Sequence, residues 1–313
     1  MKFGIIGFGK IARKFVKSIE YTTEGQIAAI ASHSLKKDDP YLKEHPDVKV
    51  YDDYEALLND ERIDAVYIAL PHLYHKQWVI KAIEHHKAVL SEKPLVLNSQ
   101  DIDDIENCVL QYQGYCLEAF KTKFNHGFDA LKEDLKLIGK IKTVETNFCS
   151  DTSALSRDSY LFDPLQGGAL NDVGSYIIGF ILGLIDSPID HIESEMKLDN
   201  GIDLSFLAKI YFENGIVGIG EGSIDYAKER YALITGEKGT IEIPYYNRII
   251  DYTIKLDNQN IERHYPIDGD DMTLEIQALI DDVNHHRHDN TIHSLKDAKY
   301  LQQVIEQIRK EAK

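Results

Sequence analysis

Cysteine is scarce in this chain: Cys108, Cys116 and Cys149 are the 3 present among 313 residues. An odd number with no C-x-x-C spacing suggests neither a disulfide framework nor a zinc knuckle, so buried free thiols are expected. Positive charge is also in short supply, with 35 Lys and Arg against 52 Asp and Glu and a formal net charge of -17. Such a chain repels phosphate backbones and anionic lipid, so neither a nucleic-acid nor a membrane partner is expected, although a local basic pocket can still hold a phosphate. No apolar run approaches the roughly 20 residues of a bilayer span, and the strongest, residues 177–185, reads as a buried helix. Lys10, Arg13 and Lys14 interrupt the opening apolar residues before a signal peptide forms, so a cytoplasmic protein is expected. No G-x-S-x-G elbow supports a Ser-His-Asp hydrolase. His285-His286-Arg287-His288 lacks the ligand spacing of a metal site, and no metal is predicted.

What is present is a globular composition, 43% hydrophobic and 28% charged, on a chain long enough for two domains. Apolar strands over residues 3–6, 26–31, 65–70, 88–90 and 115–118 alternate with helical spacing over 10–19, 54–58, 74–85 and 101–111. That alternation predicts a parallel sheet covered on both faces, a Rossmann-type α/β domain over residues 1–120. After a helix near 125–137 the texture changes to long alternating strands, at 142–150, 189–197, 204–212, 217–224, 230–235, 240–243 and 252–256. Turns such as Glu213-Asn214-Gly215 and Glu237-Lys238-Gly239 predict hairpins, hence an α+β domain over 121–313 with a large, mainly antiparallel open sheet. Helices near 272–285 and 294–310 are assigned to that second domain.

Gly7-Phe8-Gly9-Lys10-Ile11-Ala12 has the G-x-G-x-x-A form directly between a strand and a helix. The first glycine allows the tight turn, the second admits a pyrophosphate, and the small Ala12 lets helix and strand pack closely. Where an acidic residue commonly bonds the adenosine ribose at the end of the second strand, this chain has Ser32-His33-Ser34-Leu35-Lys36-Lys37. Ser32, His33, Ser34 and Lys37 suit a 2′-phosphate, so NADP is expected ahead of NAD. Ser91-Glu92-Lys93-Pro94 ends another strand and therefore shares the carboxyl edge of the sheet, where ligands of such folds bind. Lys93 is a candidate proton-handling residue there. Farther on, Gly167-Gly168-Ala169-Leu170-Asn171-Asp172-Val173-Gly174-Ser175-Tyr176 opens an apolar helix, and Asp172 and Tyr176, four apart, are expected to share a helical face.

In order and spacing, these segments, with Asp64 to His75 and Glu118-Ala119-Phe120, resemble the glucose-fructose oxidoreductase, inositol dehydrogenase and MocA-like family, nearest its dihydrodiol and xylose dehydrogenase branch. The resemblance implies reversible hydride transfer between NAD(P) and a sugar, cyclitol or related polyol, with Lys93 and Tyr176 handling the proton and Asp172 orienting hydroxyls. It also implies that Leu70, Pro71, His72, His75, Glu92 and Lys93 join Gly7, Phe8, Gly9, Lys10, Ile11 and Ala12 around the cofactor, and that the protein is a homo-oligomer, dimer or tetramer. For His72 and His75, capping or packing is an open alternative. Lys121, Lys123, Asn125 and His126 are candidates for the substrate side or for the surface. Asn171 replaces a commonly apolar residue, a departure expected to alter substrate contacts. Two other activities fit the same scaffold: a cofactor-binding regulator, and a glycosidase that recycles its bound NAD.

Overall fold

The computed structural model describes residues 1–36 and 38–313. They form two compact units, Met1–Phe120 with Asp268–Lys299, and Lys121–Ile267 with Tyr300–Lys313.

In the first unit the elements run β1 (Lys2–Ile6), α1 (Lys10–Ser18), β2 (Gln26–Ala31), α2 (Pro40–Glu44), β3 (Lys49–Tyr51), α3 (Tyr54–Leu58), β4 (Ala65–Ile68), α4 (His75–Glu84), β5 (Ala88–Glu92), α5 (Asp101–Tyr112) and β6 (Cys116–Ala119). The strands pair in the order β3-β2-β1-β4-β5-β6, all parallel. This is the doubly wound order, with its switch point between β1 and β4. Central strands are apolar on both faces because helices cover both: Phe3, Ile5, Val66 and Ile68 are fully buried. The pair α2 and β3 escaped the sequence pattern because both are short, and β3 is a three-residue edge strand without an apolar run.

The second unit contains α6 (Lys121–Phe124), α7 (His126–Asp134), β7 (Ile141–Cys149), α8 (Ala169–Asp172), α9 (Gly174–Leu184), β8 (Ile189–Asp199), β9 (Ile202–Phe212), β10 (Val217–Ser223), β11 (Tyr231–Gly236), β12 (Gly239–Pro244), β13 (Asp251–Leu256) and β14 (Gln259–His264). Its sheet runs β14-β13-β12-β11-β7-β10-β9-β8. Every pairing is antiparallel except β7 with β10, which are parallel. Polar β14 is an edge strand that alternation in hydropathy could not reveal.

The remaining helices are α10 (Thr273–Asn284) and α11 (Leu295–Glu311). The assignment of α10 and of the start of α11 to the second domain needs correction, since residues 268–299 pack with the first unit, whereas Tyr300–Lys313 stay with the second. Polar anchors hold this segment: Tyr115 Oη donates to Asp282 Oδ2 at 2.6 Å, Ser18 Oγ to Asp270 Oδ1 at 2.7 Å, and Lys14 pairs with Asp271. Side chains hundreds of residues apart leave no periodic trace in the sequence.

One sheet-helix contact sets the position of α9. Gly218, Gly220 and Gly222 alternate along β10 and so face one side of it. A Cβ on Gly218 would come within 2.5 Å of an Ile181 methyl, and one on Gly220 within 2.5 Å of an Ile177 methyl. Both isoleucines are fully buried and stiff at χ1, so neither can step aside. Gly220→Val is expected to destabilise the protein by about 1–3 kcal/mol through overpacking, read as a lower urea midpoint with an unchanged slope.

Candidate active site

Gly7 closes β1 with φ of +87°, and a Cβ there would lie 2.4 Å from the Ala69 carbonyl oxygen at the end of β4. Only glycine fits that crossing. A Cβ on Gly9 would meet nothing within 4 Å. Gly9 also caps α1 without a side-chain hydrogen bond, and no acid occupies the helix's first turn. The leading N–H groups and the positive helix end thus face an open cradle, which fits a dinucleotide pyrophosphate. Phe8 is buried against Tyr41 and beneath the Arg13 guanidinium, while Lys10 and Ile11 are exposed and Ala12 is buried.

At the end of β2, Ser32 Oγ accepts the Ser34 N–H at 3.3 Å, and exposed His33 leans on the Tyr54 ring at 4.8 Å. Lys37 lies outside the described residues. Asp39, farther along, is engaged by Arg13 and by the Tyr41 N–H, and the guanidinium's hydrogen bond holds its carboxyl below the usual range.

Lys93 follows β5 on a loop gripped from three sides. Tyr67, fully buried and stacked on Phe15 at 3.9 Å, donates to Glu92 Oε1 at 2.5 Å. His75 places its ring nitrogens 2.8 Å from the carbonyl oxygens of Pro94 and Leu70. Glu118 accepts the Leu95 N–H at 2.8 Å on one carboxylate oxygen and bonds His293 Nε2 at 2.7 Å on the other. His75, Glu118 and His293 are all buried, whereas Lys93 is half-buried. His75 is therefore corrected from a cofactor contact to a tie between the loops after β4 and β5: it is fully buried and both its nitrogens face backbone acceptors. Leu70, Pro71 and His72 occupy the edge beside it, with the His72 and His75 rings 5.7 Å apart.

In the second unit, Asp172 and Tyr176 do not share one continuous helix. Asp172 ends the single turn of α8, Val173 joins the two helices at φ -107° and ψ -17°, still right-handed, and Tyr176 lies in the first turn of α9. Gly168 enters α8 at φ +93°, where a Cβ would strike the Asp203 carboxylate at 2.2 Å. That carboxylate accepts the Leu170 N–H at 2.6 Å, and burial pushes its pKa up. Asn171 has a structural role: it is buried, donates to the Gln166 and Gly167 carbonyls and accepts from Arg309. Asn125 likewise is a buried helix cap, accepting the Gly127 N–H at 2.9 Å, while His126 is exposed. The Tyr176 ring stacks with Phe148 at 5.8 Å, and Lys121 Nζ lies 5.7 Å from its centre.

Residues 1–119 match the profile described as "Oxidoreductase family, NAD-binding Rossmann fold", and residues 134–242 match the GFO/IDH/MocA C-terminal domain. The chain belongs to the Gfo/Idh/MocA oxidoreductase family. Among curated Gfo/Idh/MocA relatives, trans-1,2-dihydrobenzene-1,2-diol dehydrogenase of Xenopus tropicalis is 27% identical over 249 residues, 78% of this chain and 75% of the relative. The scyllo-inositol 2-dehydrogenase (NADP(+)) of Bacillus subtilis is 28% identical over 251 residues, 78% and 76% of the two chains. A 3-ketoreductase from Actinomadura kijaniata, solved with TDP-benzene and NADP, shares the fold at a TM-score of 0.88 and 19% identity, covering 100% of this chain and 98% of its own. Among the described residues no helix is long and apolar enough to cross a membrane.

Several contacts of this Gfo/Idh/MocA site had no sequence signal. Tyr67 reads as an ordinary strand residue, and His293 reaches Glu118 across 175 residues. Glu118→Ala leaves the Leu95 N–H and His293 without their shared acceptor and is expected to cost about 1–3 kcal/mol; Glu118→Gln, which can still accept from Leu95, should cost less in the same denaturation assay. His75 supplies a pH dependence. Burial lowers its pKa in the folded state, opposed by its two carbonyl acceptors, so the unfolded chain takes up the proton first. Stability is then full above the ordinary histidine pKa of about 6.5 and declines as pH falls through it. Melting temperatures of His75→Gln should show a shallower fall from about pH 7 to about pH 5 than those of the wild type, and an equal fall would contradict this assignment.

Proposed function

We propose that this NAD(P)-dependent oxidoreductase transfers a hydride between nicotinamide and a hydroxyl-bearing carbon of a sugar, cyclitol or related polyol. The observation that carries the reading is Lys93, held by three buried polar contacts at the same sheet edge as the Gly7 and Gly9 cradle. The polyol-type substrates named for the dihydrodiol and scyllo-inositol dehydrogenases support the substrate class. When bound, the cofactor supplies the hydride acceptor or donor.

The chain's own residues do the rest. Gly7, Gly9 and the start of α1 hold the pyrophosphate, with Phe8, Lys10, Ile11 and Ala12 shaping the turn. Ser32, His33 and Ser34, with Lys37 proposed from sequence, receive a 2′-phosphate, which favours NADP over NAD. Leu70, Pro71, His72 and Glu92 border the nicotinamide end. Lys93 and Tyr176 take up the substrate hydroxyl proton during oxidation and return it during reduction, and Asp172 orients neighbouring hydroxyls. We place the enzyme in the cytoplasm, where its free thiols Cys108, Cys116 and Cys149 suit a reducing environment. Apolar side chains on the exposed face of the second sheet, among them Leu207 and Tyr231, support self-association into a dimer or tetramer.

Purified protein incubated with NADP and a panel of polyols should build absorbance in the reduced-nicotinamide band. Lys93→Met should lower turnover by about 10²–10⁴-fold, the range for a lost general acid or base, while NADP titrations followed by tryptophan fluorescence stay unchanged. Full turnover in that variant defeats the proton role. Glycoside cleavage without net reduction would instead identify the recycling glycosidase.

A further inference from the structure

Arg230, just before β11, has no counter-ion among the described residues. Its guanidinium carbon sits 3.2 Å above the centre of the Phe148 ring, and Phe148 stacks on Tyr176. One terminal nitrogen donates to Asn247 Oδ1 at 3.0 Å, while Nε is buried with no partner. Its electrostatic neighbours are the tyrosines Tyr246, Tyr176 and Tyr245 and a second cation, Arg248. Burial and Arg248 both act against its charge. A desolvated charge is ordinarily paired, because leaving it unpaired costs more than most contacts return. Here the side chain is instead fixed by stacking and one amide, with the rest of its planar fork held ready for a bidentate anion. Lys121 adds a further positive charge at the Tyr176 ring. In a chain of net charge -17, such a cluster gives an anion a favourable local field where the overall field repels it.

We propose that the substrate taken at Tyr176 is anionic, a sugar or polyol carrying a carboxylate or phosphate that docks on Arg230. This rests on the reading of Tyr176 as substrate-facing, and it narrows the substrate class within that reading. Arg230 is a substrate-binding residue here and takes no part in proton transfer.

Binding is measured without turnover, in a dead-end complex, by calorimetric titration of the NADPH-loaded protein, whose reduced nicotinamide accepts no hydride, with D-glucose, D-glucuronate and D-glucose 6-phosphate. The wild type should bind at least one of the anions about tenfold or more tightly than glucose, as expected for a charged hydrogen bond, and the preference should shrink as salt is raised. The better anion separates a carboxylate site from a phosphate site. Arg230→Gln should cut that anion-to-neutral ratio about tenfold, and Arg230→Lys should retain part of it. Both variants are first checked for a wild-type melting profile, and the Lys variant decides the matter where the Gln variant does not fold. Anions bound no better than glucose, or a ratio unchanged by either substitution, overturns the proposal. Because no hydride moves in this assay, its outcome is independent of whether the protein reduces NADP with any polyol.

Discussion

A lysine at the end of a strand can exchange protons with a substrate only if the backbone beneath it holds still. Around Lys93 that constraint is met by buried polar side chains: Tyr67 on Glu92, His75 on the Pro94 carbonyl, and Glu118 on the Leu95 N–H. Each of them comes from a different element of the first unit, respectively β4, the start of α4, and β6. The parallel sheet is thus more than a platform, because three of its neighbouring elements reach over to fix one loop. Such a network is costly when half made, since every unsatisfied buried group carries its full desolvation penalty. His293 extends it into residues 268–299, which explains why that distant segment belongs to the first unit.

The second unit solves a similar problem with packing. Tyr176 stands on the first turn of α9, and α9 can lie close to the sheet only because β10 presents glycine at alternate positions. Val173 lies between Asp172, at the end of α8, and Tyr176, in the first turn of α9, with Gly168 and Asp203 fixing the entry to α8. Rigidity comes from a polar network in one unit and from close steric fit in the other, and in both it is spent on a side chain proposed to meet the substrate.

Strong local periodicity made the β-α alternation and most of the antiparallel strands legible in the sequence. The glycine turn was legible too, because Gly7 and Gly9 answer to a backbone requirement that no other residue meets. What stayed hidden depends on contacts distant in sequence or on weakly patterned segments: α2 and β3, the parallel pairing of β7 with β10, and the return of 268–299 to the first unit. His75 shows why residue type alone misleads. A histidine next to a cofactor edge invites a catalytic or binding role, and only its complete burial between two carbonyls reveals a tie. Arg230 is the converse case. Nothing in Glu229-Arg230-Tyr231 distinguishes it from a surface residue until Phe148 is seen beneath it.

Charge distribution joins these observations. A chain with this excess of carboxylates has many partners to offer a cation, and it uses them: Arg13 with Asp39, Arg62 with Asp60, Arg263 with Asp134, Arg287 with Asp282. Arg230 is not among them: it lies over an aromatic face and donates to a neutral amide. Aromatic stacking stabilises a guanidinium without neutralising it, so Arg230 keeps a positive field that a paired arginine would have lost. The open start of α1 follows the same logic with backbone dipoles, since no acidic side chain occupies its first turn. Both units therefore keep positive groups clear of their own carboxylates, and in an acidic protein such a site holds its field only where the fold keeps those carboxylates away.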